Sequence, residues 1–271
     1  MIEINTPESM YFVQEGLRNP KTAFMQSMFK VKSYNLGDPI TPMGIAFYVS
    51  PLLNASVRVG TLEEKQMLCK AMLEKEFLEV PSTKRGAKHG DTEIIQEQAI
   101  RVLANIKSRQ GRAVDKAMEQ LSLQIQDKGL ESNQVIILDT KGEFPSEFGG
   151  LIANKFLQKY KKPILIGREL VFDGQLVFAG SARGDDKSTL ANLKTFLNES
   201  GKVVYAEGHE AAHGFAIPAG TQSELEDYFN KELEGEVFEP VYNLDFILDY
   251  SEVSIENLTE ITRYSTFWAR G

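Results

Sequence analysis

The chain has 271 residues, 42% hydrophobic and 25% charged, and a net charge of −8. This composition suits a globular protein with a sizeable core, in one large domain or two small ones. It argues against a protein that coats nucleic acid through bulk positive charge, while leaving room for a narrow basic groove. The lone Cys69 excludes an internal disulfide framework and fits a reducing compartment. Its setting, "EKQMLCKAML", is a helical pattern that predicts a buried structural thiol rather than a nucleophile. The first residues, "MIEINTPESMYFV", lack the basic-then-apolar order of a signal peptide, and no apolar run approaches the ~20 residues of a spanning helix. The expected location is the cytoplasm.

Residues 1 to about 80 read as mainly helical. Thr6 can cap a helix that has Pro7 at its first position. A Gly/Pro-dense loop follows at 35–44, then "GIAFYVSPLLNASVRVG". Thr61 and Glu64 form a capping-box pattern at the head of "TLEEKQMLCKAMLEKEF". "VPSTKRGAKHGD" (80–91), with Lys84, Arg85, Lys88 and His89, is expected to be an exposed connection. From Asp91 to about Lys128, Ile95, Ala99, Val102, Ile106, Ala113, Ala117 and Leu121 recur near helical spacing. This predicts a long helix capped by Asp91 and ended by Gly129, with Gly111 as the place for a bend. Arg101, Ser108 and Arg112 fall along one polar side, readable as a solvated face or as a backbone-contacting stripe.

After residue 130 strands and helices alternate. Strands are predicted at 134–140, 163–167 and 175–184, in "KVVYAEGH", in "GFAIPAG" and at 239–249. Helices are predicted in "EFGGLIANKFLQKYKK", in "STLANLKTFLNESG" with Ser188 as cap, in "TQSELEDYFNKELEG" with a Thr221/Glu224 capping box, and at the C-terminus. The fold class is therefore α/β: a helical N-terminal segment (1–90), a long connecting helix (91–130) and an α/β domain (131–271) with a mixed, mostly parallel sheet.

Two turns that follow strands carry candidate chemistry. "GSARG" (180–184) sets Ser181 and Arg183 between glycines, and "EGHEAAHG" (207–214) sets Gly208 and His209 at another strand end. Glycine lets a backbone approach an anion, a helix N-terminus offers free N–H groups, and arginine offers a planar fork of donors. These features suit an anion or phosphate site; the competing reading is an ordinary pair of turns with a capping histidine. His209 and His213, four apart, could share a helix face as zinc ligands. However, the segment is not H-E-x-x-H, a strand follows at once, and no third ligand cluster accompanies them. No metal site is expected in this chain.

Taken in order, these segments resemble the DHHA1-containing part of RecJ-like single-strand exonucleases. "GSARG" is similar to that family's G-S-A-R-S, and "GHEAAHGFAIP" to its G-G-H-x-x-A-A-G. "IAFYVSPLLNASVRVG" resembles a segment built on P-x-x-N-A-x-x-R, "LANIKSRQ" resembles L-N-x-x-R-Q on a long helix, and "GGLIANKF" resembles G-I-V-A-S-R-L. The resemblance spans about residues 8 to 220 and implies a DHHA1-type domain that holds single-stranded DNA. It implies that Ser181 and Arg183 hold a phosphate, and that Gly208 and the catalytic His209 face the scissile or neighbouring phosphate. Asn54 and Arg58 would lie near the substrate path, and Arg109, with Arg101 or Arg112 less closely matched, would line it. Departures are Glu207 for the first Gly of G-G-H, His213 for an Ala, Gly184 for the second Ser of S-A-R-S, and Val57 for a Gly.

The family's catalysis belongs to a preceding DHH domain that holds two Mn²⁺ or Mg²⁺ ions, and this chain contains no D-H-H. "ESMYFVQEGLRNP" resembles the segment just after that domain, and "FWARG" the point before an OB-type domain. The resemblance thus implies the substrate-binding half of a 5′→3′ exonuclease, inactive by itself, working with a DHH-domain partner or missing N-terminal half. Two other readings stand beside it. One is an inactive nucleic-acid, nucleotide or partner-binding protein. The other is part of an oligoribonucleotide or cyclic-dinucleotide phosphodiesterase.

Overall fold

Thr6 caps the first helix in the computed structural model, which describes residues 6–238, 244 and 247–263: its hydroxyl accepts the Ser9 N–H ahead of α1 (Pro7–Arg18). Next come α2 (Ala23–Val31), the single turns α3 (Ser33–Leu36) and α4 (Pro42–Gly44), and a π-helical stretch (Ile45–Val49) that runs into α5 (Ser50–Val59). The capping box forms at α6 (Leu62–Leu73), where Thr61 and Glu64 exchange side-chain bonds with each other's backbone. Phe24, Met28, Leu52, Ala71, Ile95 and Leu103 build the core of this region. Cys69 is exposed, against expectation. Leu68 and Ala71 are the buried positions of α6, and a residue one step along from Leu68 turns about 100° away from them.

A short hairpin, β1 (Glu79–Pro81) with β2 (Thr92–Ile94), carries the exposed connection 82–91. The long helix α7 runs Ile95–Asp127 and ends at Gly129, which is left-handed (φ 63°). Asp91 does not cap it: its carboxylate accepts the Lys88 N–H within the loop, and β2 intervenes. Two compact units are formed, Met1–Gln110 with Asp245–Gly271, and Gly111–Leu244; the boundary lies inside α7. Gly111 itself is helical.

The second unit contains β3 (Ile136–Asp139), α8 (Gly149–Tyr160), β4 (Ile164–Phe172), β5 (Gln175–Arg183), α9 (Leu193–Glu199), β6 (Tyr205–Gly208), β7 (Ala212–Pro218) and α10 (Gln222–Glu232). Its sheet is mixed, in the order β3-β4-β5-β7-β6. The expectation of a mostly parallel sheet is corrected: β3 and β4 are parallel, and the other three pairings are antiparallel. The cause is local. Asp173 and Gly174, both at positive φ, join β4 to β5 in a two-residue hairpin turn of the kind that Asp-Gly favours. Phe178, Phe215, Leu193, Leu197, Leu225 and Phe229 pack on the face covered by α9 and α10. Each such side chain contributes about 1.5–3 kcal/mol when fully buried.

Two expected caps are replaced. Asn192, not Ser188, caps α9, and Thr221 bonds Pro218 O while Glu224 pairs with Lys202. The strand expected at 239–249 lies mostly outside the described residues, and 247–249 is not in a strand. Of the C-terminal helix, α11 (Ile255–Arg263) is described; "FWARG" is not. No helix among the described residues is long and apolar enough to cross a membrane.

Glu93 of β2 has a fully buried side chain. Its carboxylate accepts the Thr83 N–H (2.7 Å), the Gln98 amide (2.8 Å) and the Arg101 guanidinium (2.7 Å). Burial alone would raise its pKa; the Thr83 N–H, Gln98 and Arg101 outweigh burial and hold it at about 2. A depressed carboxylate contributes stability that is present above its ordinary 4.5 and lost as pH falls towards about 2. Glu93→Gln is expected to flatten stability across that acid window, read by thermal unfolding at successive pH values.

Candidate functional site

The functional end of the second unit is built around the last residues of β5. Gly180 pairs with Gly167 and Phe215, and a Cβ on it would collide with the backbone carbonyl of Ile166. The next residues alternate. Ala182 is buried towards the α9/α10 core, so Ser181 and Arg183 project to the opposite face, where α8 begins. Ser181 Oγ comes within 3.4 Å of where a Cβ on Gly149 would stand, and the Arg183 guanidinium occupies the space beside Gly150. A Cβ on Gly150 would displace the Arg183 guanidinium, whereas Gly149 has room for one. The first turn of α8 has no side-chain cap, and a 3-10 turn (Ser146–Phe148) leads into it. A hydroxyl, a guanidinium and the positive end of a 12-residue helix thus converge. Gly149 and Gly150 were not singled out as site residues from sequence; the signal was present as "GGL" opening a helix after a strand.

"GHEAAH" forms no helix, correcting that possibility: it is the tip of the β6–β7 hairpin. Each carbonyl of residues 208–211 has a partner. Lys194 Nζ reaches Gly208 O (3.0 Å) and Lys194 N reaches Glu210 O (3.0 Å). Gly184 N reaches Ala211 O (2.8 Å), and Ala212 N reaches His209 O (3.3 Å). Gly208 sits at φ 131°, and a Cβ there would press on His213 Cβ at 2.9 Å. Its identity is fixed by the hairpin. The His209 side chain is exposed, on a turn pinned to the residue after Arg183.

His213 is 4% exposed and points into the core side of β7, opposite Ala182. Its Nδ1 bonds His209 O at 3.1 Å, and its buried Nε2 has no partner. Burial pushes its pKa below the ordinary 6.5; the bond to His209 O works the other way, and Arg183 and Lys194 add repulsion. One histidine faces out and the other in, so the pair does not converge on a metal. Among the described residues no group of three or more His, Cys, Asp or Glu could hold one.

Glu207 lies in the same cross-strand row as Ser181, through Gly214, on the same sheet face. Two strand spacings put it about 9–10 Å from Ser181. Beside Ser181 opens a cavity of about 190 Å³, lined by Thr140, Ser146, Gly149 and Ser181 and walled by Phe144, Ile166 and Tyr205 among others.

The remaining sequence candidates belong to the other unit. Asn54 and Arg58 are exposed on α5, four residues apart and hence on one helix face. Arg109 grips Glu64 with both guanidinium nitrogens (3.1 and 2.8 Å) and donates to Val59 O (3.0 Å). The bond from Arg109 holds the Glu64 carboxyl below its usual range. Arg101 is held by Glu93 and Thr83.

No family model matches the chain. Among curated proteins, it is 32% identical over 263 residues to the SPbeta prophage-derived YorK of Bacillus subtilis (strain 168), provisionally named a single-strand DNA-specific exonuclease. That match covers 96% of this chain and 45% of the relative. It is 21% identical to the single-stranded-DNA-specific exonuclease RecJ of the same organism, covering 93% of this chain and 29% of RecJ. Among solved structures, RecJ of Thermus thermophilus in complex with Mg²⁺ superposes with TM-score 0.62 at 15% identity, covering 97% of this chain and 37% of that one. The fold is therefore RecJ-like. The chain is similar along nearly its whole length to YorK and RecJ, and it spans less than half the length of these curated relatives.

Two outcomes follow from the geometry. Gly180→Ala, which drives a Cβ into backbone, should cost about 1–3 kcal/mol. Gly149→Ala meets only ordinary contact and should stay within about 1 kcal/mol; equilibrium denaturation compares them. For His213 the folded pKa is depressed, so the unfolded chain binds the proton first and stability falls as pH drops below about 6.5. His213→Gln should remove that component of the stability–pH curve.

Proposed function

We propose that this chain is the substrate-holding part of a RecJ-like 5′→3′ single-strand DNA exonuclease. The observation that carries the reading is the convergence of Ser181, Arg183 and the glycine-opened first turn of α8, in a chain similar to RecJ along nearly its whole length. Arg183 donates two parallel hydrogen bonds to non-bridging phosphate oxygens, Ser181 adds a third, and the α8 N-terminus supplies the field that favours the anion. The cavity beside Ser181 accepts the sugar or base attached to that phosphate. His209, exposed on its pinned turn, contacts the scissile or neighbouring phosphate and is the catalytic residue of this chain. Gly208 keeps that turn in shape. Asn54 and Arg58 serve the strand from α5, while Arg109, committed to Glu64, acts as a brace.

Positioning and electrostatic stabilisation of phosphate are what these residues supply. A Mn²⁺ or Mg²⁺ pair, which activates water and stabilises the leaving oxygen, would be held by a DHH domain outside this sequence. Among the described residues no group of side chains fits such a pair.

Binding of a fluorescent single-stranded oligonucleotide across salt tests the reading. Arg183→Ala should weaken binding about tenfold at low salt. It should also make the slope of log K against log salt shallower by about 0.7, the value for one phosphate contact on a single strand. His209→Ala should weaken binding less. A slope unchanged in Arg183→Ala removes that residue from the site and the reading with it.

A further inference from the structure

The loop at 82–91 combines two properties that a connection does not need together. It is basic in an acidic chain: Lys84, Arg85 and Lys88 stand against Asp91, with His89 among them, while the whole chain carries −8. It is also held in one shape. Ser82 N bonds Asp91 O (2.8 Å), Ala87 N bonds Lys84 O (3.0 Å), and Lys88 N bonds the Asp91 carboxylate (2.7 Å). Gly86 and Gly90 take the positive φ values that its two bends require. Underneath, the buried Glu93 carboxylate and Arg101 grip Thr83 through its N–H, hydroxyl and carbonyl, and Gln98 bonds Pro81 O.

A buried ion pair is a poor source of net stability, and its better-attested use is to fix one conformation. Here the conformation fixed is that of a surface loop. The exposed Asp91 carboxylate accepts the Lys88 N–H at 2.7 Å, and against Lys84, Arg85 and Lys88 it leaves the loop net positive. Lys84 leans towards Glu93 at 3.8 Å, whereas Arg85 and Lys88 make no ion pair among the described residues. Cations carried on a backbone held in one shape lose less conformational freedom on meeting an anion than cations on a mobile loop.

We propose that this loop is a second nucleic-acid contact, in which Arg85 and Lys88 bind phosphates of the single strand without reading its bases. The inference rests on the substrate-holding reading above and extends it to a surface outside the Ser181/Arg183 site. The occupant follows from charge: cations spaced along a held backbone match a polyanion, and the loop offers no apolar anchor that a protein partner would use.

The experiment measures binding of fluorescent oligothymidylate and oligodeoxyadenylate to the full chain between about 50 and 200 mM salt, the range in which phosphate contacts dominate. Variants are Arg85→Ala/Lys88→Ala, Arg183→Ala, Glu93→Gln and, as a charge-matched control, Lys161→Ala/Lys231→Ala. The loop double variant should bind both oligonucleotides about tenfold more weakly, with a slope shallower by about 1.4 for two lost phosphates. The control should stay near wild type. Glu93→Gln keeps the cations but loosens their support, so affinity should fall with the slope nearly unchanged; circular dichroism confirms that it is folded. If Arg183→Ala weakens binding while the loop variant matches the control, the loop inference is overturned and the function stands. If the loop variant loses binding and Arg183→Ala does not, the loop holds the strand and the phosphate site is overturned. No binding by wild type overturns both, and an acidic protein segment becomes the better occupant.

Discussion

The backbone of β5 runs too close to β4 at Gly180 for any side chain, and the functional end of the second unit depends on that approach. With Gly180 set against Gly167, the register of the whole strand is fixed. A slip of one residue would send Ser181 and Arg183 into the α9/α10 core and turn Ala182 outward. The two glycines of α8 answer from the other side, giving the Ser181 hydroxyl and the Arg183 guanidinium room against a helix end. Gly180 and Gly167 meet on the α9/α10 face, while Gly150 leaves room for the Arg183 guanidinium on the other. None contributes a functional group; each contributes the absence of a side chain.

Much of this was legible in the sequence, and the failures have physical causes. The long helix, the Thr6 and Thr61 caps and the strand–helix alternation follow from periodicity and capping chemistry, which are local. The sheet's direction was misread because alternation alone suggests parallel crossovers, although "FDGQ" carries an Asp-Gly hairpin signal that decides β4–β5. His213 reads as a partner of His209 when spaced along a helix; along a strand, His213, Phe215 and Ile217 fall on one inward face. Cys69 was misassigned because a helical pattern says that one face is buried without saying which residues border it. Ser181, Arg183, Gly208 and His209 were found at neighbouring strand ends as expected, whereas the commitment of Arg109 to Glu64 is a tertiary contact across 45 residues that no local rule reveals.

Charge is organised in the same spirit. The chain is acidic overall, yet Arg183 at the sheet end bonds the main-chain Ala182 O, and Lys84 at the β1–β2 loop leans on the buried Glu93 carboxylate. Glu207 is an acid on the same face as Ser181. At about 9–10 Å it lies near one Debye length at physiological salt, so its repulsion of any anion beside Ser181 would be damped without being abolished.

The β6–β7 turn shows where sequence is constrained and where it is not. Its carbonyls are met by Lys194, His213 and backbone N–H groups, and its first residue must be glycine. Nothing in that scheme refers to the side chains of Glu210 and Ala211. Evolution can therefore rewrite those two positions, altering charge and bulk beside the histidine, without redrawing the loop that carries it. The electrostatics of that edge can drift while the scaffold stands still.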